Sequence, residues 1–324
     1  MTLCSRLLGD SSSNRGPFEA MTVIQFQNTD RRDVARIRDN TFDGMNLNYF
    51  IWQPCTQVES LEKDCFKCVY REDAIRGYGT AYRLDDTHFR LNLLVDPHHM
   101  NQGIGTLLLN NIEAATKKIK GRYLQARVLE SMESSLRFAR ARGFIEIHRM
   151  KGMSLSKTDF SYERWEDLGK WLSQKGFVAT TLKEELEVNN NPIKKLARLH
   201  RDSQTGWPSP DPTWKHNSPI ESLESRFADI PFPDRFTIMS LREEYVGYTS
   251  AKNKTTATAV HPNYRGIGLA TYMKALDLKR CVADGDEYFE SATANPAMQK
   301  VNEKLGYKFN GLCEVRFVKD LSSF

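Results

Sequence analysis

Hydrophobic and polar positions along the chain form short strand-like runs that give way to apolar residues at helical spacing. In the first half, the run at 22–26 precedes Val34 and Ile37, which lie on one face of a predicted helix that Thr29 or Asp30 can cap. The other elements predicted here are strands at 66–70, 75–84, 88–95 and 123–128, a helix opening at 102–106, a helix from a cap at Ser131 to Gly143, and a strand through Met150. The order β-α-β-β-β-α-β-α-β predicts a mixed sheet with helices on its faces, an α/β fold.

The same order of elements returns in the second half. A strand at 177–182 precedes a helix that begins at Asn191 and Pro192, because proline suits the first helical position. The remaining predicted elements are a hairpin at 236–241 and 246–250, a strand ending at Val260, a helix after Gly268, a strand at 288–292, and a helix that Asn295 caps and Gly306 ends. We expect the polar residues 156–175 to link the halves. Residues 1–20 are expected to be a disordered leader or to precede a natural start at Met21.

The two halves are related by an internal repeat. Residues 95–108, VDPHHMNQGIGTLL, align without a gap with residues 260–273, VHPNYRGIGLATYM. Downstream, FARARGF at 138–144 parallels VNEKLGY at 301–307. Because the two matches have nearly the same separation, the second half is predicted to repeat the fold of the first, with domains at 21–155 and 176–324.

The segment from Val260 to Ala270 predicts a site for a phosphate group. Pro262 ends the preceding strand because it has no N–H to donate. The helix that opens after Gly266 and Gly268 has N–H groups without internal partners at its positive end. Since no side chain stands at either glycine, a phosphate can contact these N–H groups directly. A Walker A loop does not fit, because no Gly-Lys-Ser/Thr follows, and a dinucleotide fingerprint does not fit, because it needs a glycine where the chain has threonine.

Arg265-x-x-Gly268-x-Ala270 resembles the Q/R-x-x-G-x-G/A acetyl-CoA signature of the GNAT superfamily of N-acetyltransferases. Together with the repeat, it makes the chain similar to tandem GNAT proteins, an architecture shared by mycothiol synthase-like acetyltransferases. The resemblance implies two acyl-CoA N-acyltransferase domains that use acetyl-CoA to acetylate a primary amine of a small molecule. The implied cofactor-binding residues are Val260, Arg265, Gly266, Ile267, Gly268, Leu269, Ala270, Thr271, Asn295 and Asn302 in the second half, and Val95, Gly103, Ile104, Gly105 and Thr106 in the first.

The first half departs from the signature. Met100 stands at the Arg/Gln position and Asn101 at the glycine that follows it, so one cationic phosphate partner is missing there. Gly103 and Gly105 keep the backbone cradle. The segment 295–307 resembles the N-x-x-M-x-x-x-N-x-x-L-G-F/Y helix of tandem members. We therefore expect catalysis in the second half, while the first half binds acetyl-CoA without turnover or serves as a scaffold.

The implied chemistry is direct attack of a neutral amine on the thioester carbonyl, which an N–H near Val260 would polarise. Many family members protonate the leaving thiolate with a tyrosine on the last helix, but Ala139 and Asn302 stand at the aligned positions. Asn302 is instead expected to bond the pantetheine arm. Glu290, on the strand after the signature helix, is the first candidate for the base. The alternatives are Glu243 and Glu244 in the hairpin turn and His261, while Trp207 and Trp214 either line the acceptor site or pack within a connector.

Composition changes this picture little. Among 324 residues, 40% are hydrophobic and 27% are charged, and the net charge is +5. No apolar run approaches the roughly 20 residues of a membrane span, so we expect no membrane partner. We also expect a cytoplasmic protein that is a monomer or a homodimer. The mild positive charge suits an anionic cofactor and does not indicate nucleic-acid binding.

The six cysteines are scattered, which is typical of free thiols in a reducing compartment. Cys65 and Cys68 form a lone C-x-x-C with Cys55 nearby, and the sequence offers no identifiable fourth ligand, so no metal site is expected.

Two other function classes stay open. The first is a non-catalytic acyl-CoA-binding or structural protein, which would not need the tyrosine acid that both halves lack. Turnover with any amine would exclude this class. An aminoacyl-tRNA-dependent transferase also pairs GNAT-like domains, but it would need a larger basic surface and would not need the signature at 265–270.

Overall fold

The computed structural model describes residues 23–42, 65–189, 191–204, 213, 219–250 and 258–322. The strands are β1 (Val23–Gln25), β2 (Cys65–Arg71), β3 (Ile75–Arg83), β4 (His88–Val95), β5 (Tyr123–Leu129), β6 (Ile145–Ser156), β7 (Phe177–Thr181), β8 (Thr237–Leu241), β9 (Glu244–Thr249), β10 (Ala259–Val260), β11 (Tyr288–Thr293) and β12 (Lys308–Asp320). The helices are α1 (Arg31–Thr41), α2 (Ile104–Lys118), α3 (Glu133–Ala141), α4 (Glu166–Gln174), α5 (Leu182–Val188), α6 (Pro192–Ser203), α7 (Ile220–Ala228), α8 (Leu269–Ala283) and α9 (Pro296–Leu305). This element order confirms the predicted α/β fold.

The chain divides into two compact units. Unit 1 comprises residues 1–127, 141–145 and 317–324, and unit 2 comprises residues 128–140 and 146–316. In unit 1 the strand order is β1-β2-β3-β4-β5, with the end of β12 beside β5. In unit 2 one set of strands has the order β12-β6-β11 and a separate sheet has the order β10-β9-β8-β7.

The unit bounds differ from the predicted domain bounds. Most of β6 belongs to unit 2, although it ends the first repeat, and the last residues of β12 belong to unit 1, although they end the second. The buried side chains of Phe317, Val318 and Leu321 account for the second exchange, because they lie in the core of unit 1. The bounds 21–155 and 176–324 therefore stay a prediction made from the repeat.

In unit 1, β3 packs between two layers because its side chains alternate between faces. Gly77 and Gly79 face α2, where a Cβ atom on either would come within 3 Å of Ile104 or Ile112. Tyr78 points to the other face and contacts the ring of Phe26 edge-on at a centroid distance of 5.5 Å.

In unit 2, the sheet β10-β9-β8-β7 is also covered on both faces. Ile238 and Tyr248 pack with side chains of α6 and α7, and Met239 and Val246 pack with Leu172 of α4 and with α8. A second core joins α8 to β11 and α9 through residues such as Leu278, Phe289 and Leu305. Helix α8 therefore contacts both groups of strands in this unit.

Several local predictions need correction. Helix α3 begins at Glu133, so Ser131 lies too early to be its cap. Strand β6 continues past Met150 to Ser156, and the expected link at 156–175 contains α4. Helices α5 and α7 and strand β12 were not predicted from the sequence. They are short or carry mixed patterns, and tertiary contacts decide such segments.

Candidate active site

The two signature loops have the same backbone conformation. In the second half, a 3-10 turn at Pro262–Tyr264 leads to Gly266 and Gly268 in the left-handed region, with φ of 83° and 94°, and α8 begins at the next residue. In the first half, a 3-10 turn at Pro97–His99 leads to Asn101 and Gly103, with φ of 63° and 84°, and then to α2.

Asn101 thus replaces Gly266 without changing the loop, because asparagine visits the left-handed region at low cost. Both loops deliver the chain into a helix of 15 residues, whose first N–H groups have no intrahelical partner and lie at the positive end of the helix dipole. Each half therefore has a backbone cradle suited to a phosphate.

In each half, the valine at the end of the strand before the cradle directs its backbone N–H and C=O away from the neighbouring strand. His261 donates its N–H to Val246 on β9, while Val260 stands opposite Gly247. Because hydrogen-bonded and non-hydrogen-bonded pairs alternate in an antiparallel ladder, the N–H and C=O of Val260 point away from β9. Among the described residues no strand pairs with that edge of β10. The predicted thioester-polarising N–H is therefore directed to an open edge.

The first half repeats this arrangement. Asp96 donates its N–H to the carbonyl of Arg76, and Val95 stands opposite Gly77. The parallel pairing of β4 with β5 runs from His88 to Arg90 in the register described, so the two strands separate before Val95.

A glycine opposite each of these valines was missed in the sequence. A Cβ atom on Gly247 would lie 2.7 Å from Cε of Met273 on α8, and a Cβ atom on Gly77 would lie 2.7 Å from Cγ2 of Ile104 on α2. Glycine lets the cradle helix pack directly on β9 in the second half and on β3 in the first half. The dipeptide Gly-Tyr, at 77–78 and again at 247–248, was the available signal.

The predicted cofactor residues differ in burial. Ile104, Leu269 and Thr271 are buried, so only their backbone groups can serve the cradle. Ile267, Ala270, Gly105, Thr106 and Val95 are half-buried. Thr106 accepts a hydrogen bond from the Arg142 guanidinium at 2.6 Å, which places a positive charge at the first turn of α2 that the sequence analysis did not identify.

Arg265 is directed to backbone carbonyls. Its Nε donates to the carbonyl of Val260 at 3.1 Å and its Nη2 donates to the carbonyl of Ser203 at 2.6 Å. Gly268 lies beside α4, since a Cβ atom there would be 3.1 Å from Cδ2 of Leu168. Asn295 caps α9 by accepting the N–H of Ala297 at 2.9 Å.

Asn302 is fully buried beside β11. Its Nδ2 donates to the hydroxyl of Ser291 at 3.0 Å and lies 3.7 Å from the sulfur of Met153, while its Oδ1 has no hydrogen-bond partner among the described residues. A buried acceptor without a donor is costly, and active sites are a common location for such groups.

Glu290 lies on the opposite face of β11 from Ser291, because side chains alternate along a strand. It is half-buried and stands opposite Ser154 of β6. The structure thus brings Asn302 and the predicted base to the same strand, but on its two faces.

Other candidates receive less support. Glu243 and Glu244 are exposed in or next to the β8–β9 turn, and the His261 ring accepts the N–H of Asn263 at 3.3 Å as a cap of the 3-10 turn. Trp207, Trp214 and Cys55 lie outside the described residues. Burial raises the pKa of Cys68 to about 12, and the described residues contain no group of three or more potential metal ligands.

A half-buried cation lies on the cradle helix of the second half. Lys274 is one turn beyond Ala270 on α8, and its Nζ lies 5.5 Å from the centre of the Tyr307 ring. Burial lowers the pKa of Lys274 to about 8, while the charge of Asp277 opposes this shift.

Comparison with known proteins gives one family-model match. Residues 33–144 match the family model described as acetyltransferase (GNAT) family. This match covers the first signature loop and about a third of the chain. No protein of curated function matches the sequence.

Solved structures match nearly the whole chain at low identity. A GCN5-related N-acetyltransferase from Sphaerobacter thermophilus is 13% identical, with a TM-score of 0.67 over 94% of this chain and 96% of its own. A tandem GNAT protein from the clavulanic acid biosynthesis pathway is 19% identical, with a TM-score of 0.63 over 93% of this chain and 98% of its own. A glucosamine N-acetyltransferase region of a fungal multi-domain β-N-acetylglucosaminidase is 12% identical, with a TM-score of 0.69 over 93% of this chain and 38% of that one. At these identities the likeness shows the fold.

A search of the described helices for a segment long and apolar enough to cross a bilayer finds none.

Proposed function

We propose that the protein is an N-acetyltransferase, because residues 33–144 match the acetyltransferase (GNAT) family model and the whole chain has the fold of a tandem GNAT protein. It transfers an acetyl group from acetyl-CoA to a primary amine of a small molecule, and the second half is catalytic. The observation that carries the proposal is the outward peptide of Val260 next to the glycine cradle.

The residues of unit 2 suit the parts of this reaction. The N–H groups at the start of α8 would hold the pyrophosphate, and the N–H of Val260 would stabilise the oxyanion that develops on the thioester carbonyl. Glu290 would accept the proton of the attacking amine from one face of β11. The new C–N bond forms as the C–S bond breaks, and CoA leaves as its thiolate.

The first half is proposed to bind acetyl-CoA as well. Its loop keeps the left-handed conformations at Asn101 and Gly103, its Val95 peptide is turned outward, and Arg142 adds a positive charge at Thr106. At the positions that the repeat aligns with Glu290, the first half has no carboxylate.

The test is to place a carboxylate in each cradle. Ala270→Glu and Gly105→Glu both fall within the first turn of a helix, where an acidic side chain favours folding and repels phosphate. They are better probes than Gly268→Glu, since residue 268 has φ of 94° and Leu168 beside it. Acetyl-CoA binding would be measured by calorimetry and turnover with a panel of small primary amines.

We expect each variant to lose one of two acetyl-CoA sites and only Ala270→Glu to lose turnover. Glu290→Gln should lower kcat by about a hundredfold or more while acetyl-CoA affinity stays unchanged. Turnover that survives in Ala270→Glu but not in Gly105→Glu would assign catalysis to the first half. Binding without turnover for any amine would favour a non-catalytic acyl-CoA-binding protein, and folded wild-type protein that binds no acetyl-CoA would overturn the proposal.

A further inference from the structure

The guanidinium of Arg265 joins three parts of unit 2. It belongs to the cradle loop, and it donates to the carbonyl of Val260 at the end of β10 and to the carbonyl of Ser203 at the end of α6. The last carbonyls of a helix have no intrahelical partner and lie at the negative end of its dipole. A guanidinium at this position therefore satisfies an acceptor and complements the helix charge.

The first half has methionine at the corresponding position, yet an arginine makes a similar connection. Arg36 of α1 donates from Nη1 to Oδ2 of Asp96 at 2.9 Å and from Nη2 to the carbonyl of Ile75 at 3.1 Å. Asp96 directly follows Val95, and its other oxygen accepts the N–H of His98 in the 3-10 turn of the loop. Burial would raise the pKa of Asp96, but the bonds from Arg36 and His98 lower it, so the carboxylate is ionised.

Helices α1 and α6 occupy corresponding places. Helix α1 packs against β3 and β4, and α6 packs against β9 and β10, which are the strands before each cradle. In each half a guanidinium therefore ties this helix to the junction between strand and cradle. The charge comes from the loop in the second half, through Arg265, and from the helix in the first half, through Arg36.

We infer that Arg265 and Arg36 are positioning residues with the same task, which is to clamp the outward valine peptide and the cradle loop onto the helix. The inference rests on the proposed function and extends it. On this view Met100 does not mark a lost phosphate partner, because the clamp of the first half is supplied by Arg36. The signature arginine acts mainly on Val260, and through it on the thioester-polarising N–H.

The first test uses protein without any ligand. Arg265→Met and Arg36→Met should each lower the folding equilibrium constant by about tenfold or more, measured by urea unfolding, since each removes charged hydrogen bonds to buried acceptors. Lys194→Met, which removes one exposed positive charge from α6, is the matched control and should leave stability unchanged. If Arg265 served only to bind a phosphate of the ligand, its removal would not change the stability of the ligand-free protein. An unaltered unfolding curve for Arg265→Met would therefore overturn the clamp.

The second test separates positioning from phosphate binding in the enzyme. Arg265→Met should lower kcat by about tenfold to a hundredfold with a smaller change in the KM for acetyl-CoA, because the Val260 peptide is displaced. Arg265→Lys should not restore kcat, since a lysine cannot donate in the forked geometry to two carbonyls, and Met100→Arg should not tighten acetyl-CoA binding. The opposite result would be a KM for acetyl-CoA that Arg265→Met raises and Arg265→Lys restores, together with tighter acetyl-CoA binding by Met100→Arg. That result would identify Arg265 as a phosphate partner instead. If the wild-type protein did not bind acetyl-CoA, the proposed function would be wrong. The unfolding measurements without ligand would still test whether Arg265 and Arg36 act as clamps.

Discussion

At the scale of single residues, Glu185 shows how a buried carboxylate can be structural. It is 7% exposed and accepts hydrogen bonds from the hydroxyl of Tyr245 at 2.5 Å, the hydroxyl of Thr180 at 2.7 Å and the amide of Asn189 at 2.7 Å. Burial would raise the pKa of Glu185, but these three donors lower it. With its oxygens occupied by protein donors, Glu185 is held as an anion and is a poor candidate for the catalytic base.

Glu185 gives a pH-dependent prediction. Its pKa is lower in the folded than in the unfolded protein, so its contribution to stability is present above the unfolded pKa of about 4.3 and is lost as the pH falls through the folded value. Glu185→Gln should therefore reduce the free energy of unfolding by about 1–3 kcal/mol at pH 7, and by less near pH 3. Urea unfolding across this pH range measures the difference. Glu187→Gln, at an exposed position on the same helix, should show no such trend.

At the scale of elements, the cradle helices depend on a close approach to the neighbouring strand. A Cβ atom on Gly247 would lie 2.7 Å from Cε of Met273 and 3.2 Å from the carbonyl oxygen of Ala259. Real Cβ contacts are longer than the first of these distances, so any larger residue must push α8 away from β9 or force Met273 into another rotamer. The same holds in unit 1 for Gly77 against α2.

We expect Gly247→Ala to destabilise the protein by about 1–3 kcal/mol and to weaken acetyl-CoA binding, because the start of α8 shifts. Met273→Ala alone creates a cavity and is also destabilising. In the double variant the two costs should partly cancel, since the new methyl group fills space that the methionine leaves. A double-mutant cycle from urea unfolding measures this coupling, and additive effects would show that Gly247 does not serve the contact.

At the scale of the whole chain, the last strand serves both compact units. Most of β12 belongs to unit 2, while residues 317–324 belong to unit 1. There Phe317, Val318 and Leu321 are buried, and Lys319 pairs with Glu113 of α2 at 2.5 Å. The end of the second repeat is therefore needed to complete the core that holds the first cradle.

A chain that ends after Arg316 should lose the stability of unit 1. Burial of the three apolar side chains contributes about 1.5–3 kcal/mol each, which is comparable to the total stability of a domain. We expect loss of the first acetyl-CoA site and rapid proteolysis within unit 1. A chain that ends after Leu321, which removes only exposed or undescribed residues, is the matched control and should retain both properties. Full protection of unit 1 in the shorter chain would contradict the assignment.

The sequence by itself determined the features that depend on neighbouring residues. The glycines at 103, 266 and 268 and the proline after each valine specify a strand, a turn and a helix start, because their backbone preferences act locally. Because the two halves are related by the repeat, the same strand, turn and helix start could be predicted in both halves. The repeat also indicated the tandem architecture. Even the departure at residue 101 was compatible with the loop, since asparagine accepts the same conformation.

Only the tertiary structure decided which residues meet across long separations. Arg265 reaches Ser203, 62 positions away, and Asn302 reaches Met153, 149 positions away. The assignment of most of β6 to unit 2 and of the end of β12 to unit 1 was likewise visible only in the folded chain. Local propensities and hydrophobic periodicity say which element a residue joins and which face it occupies. They do not say which distant element covers that face, because this choice depends on how the packing of the whole chain buries apolar surface and pairs its polar groups.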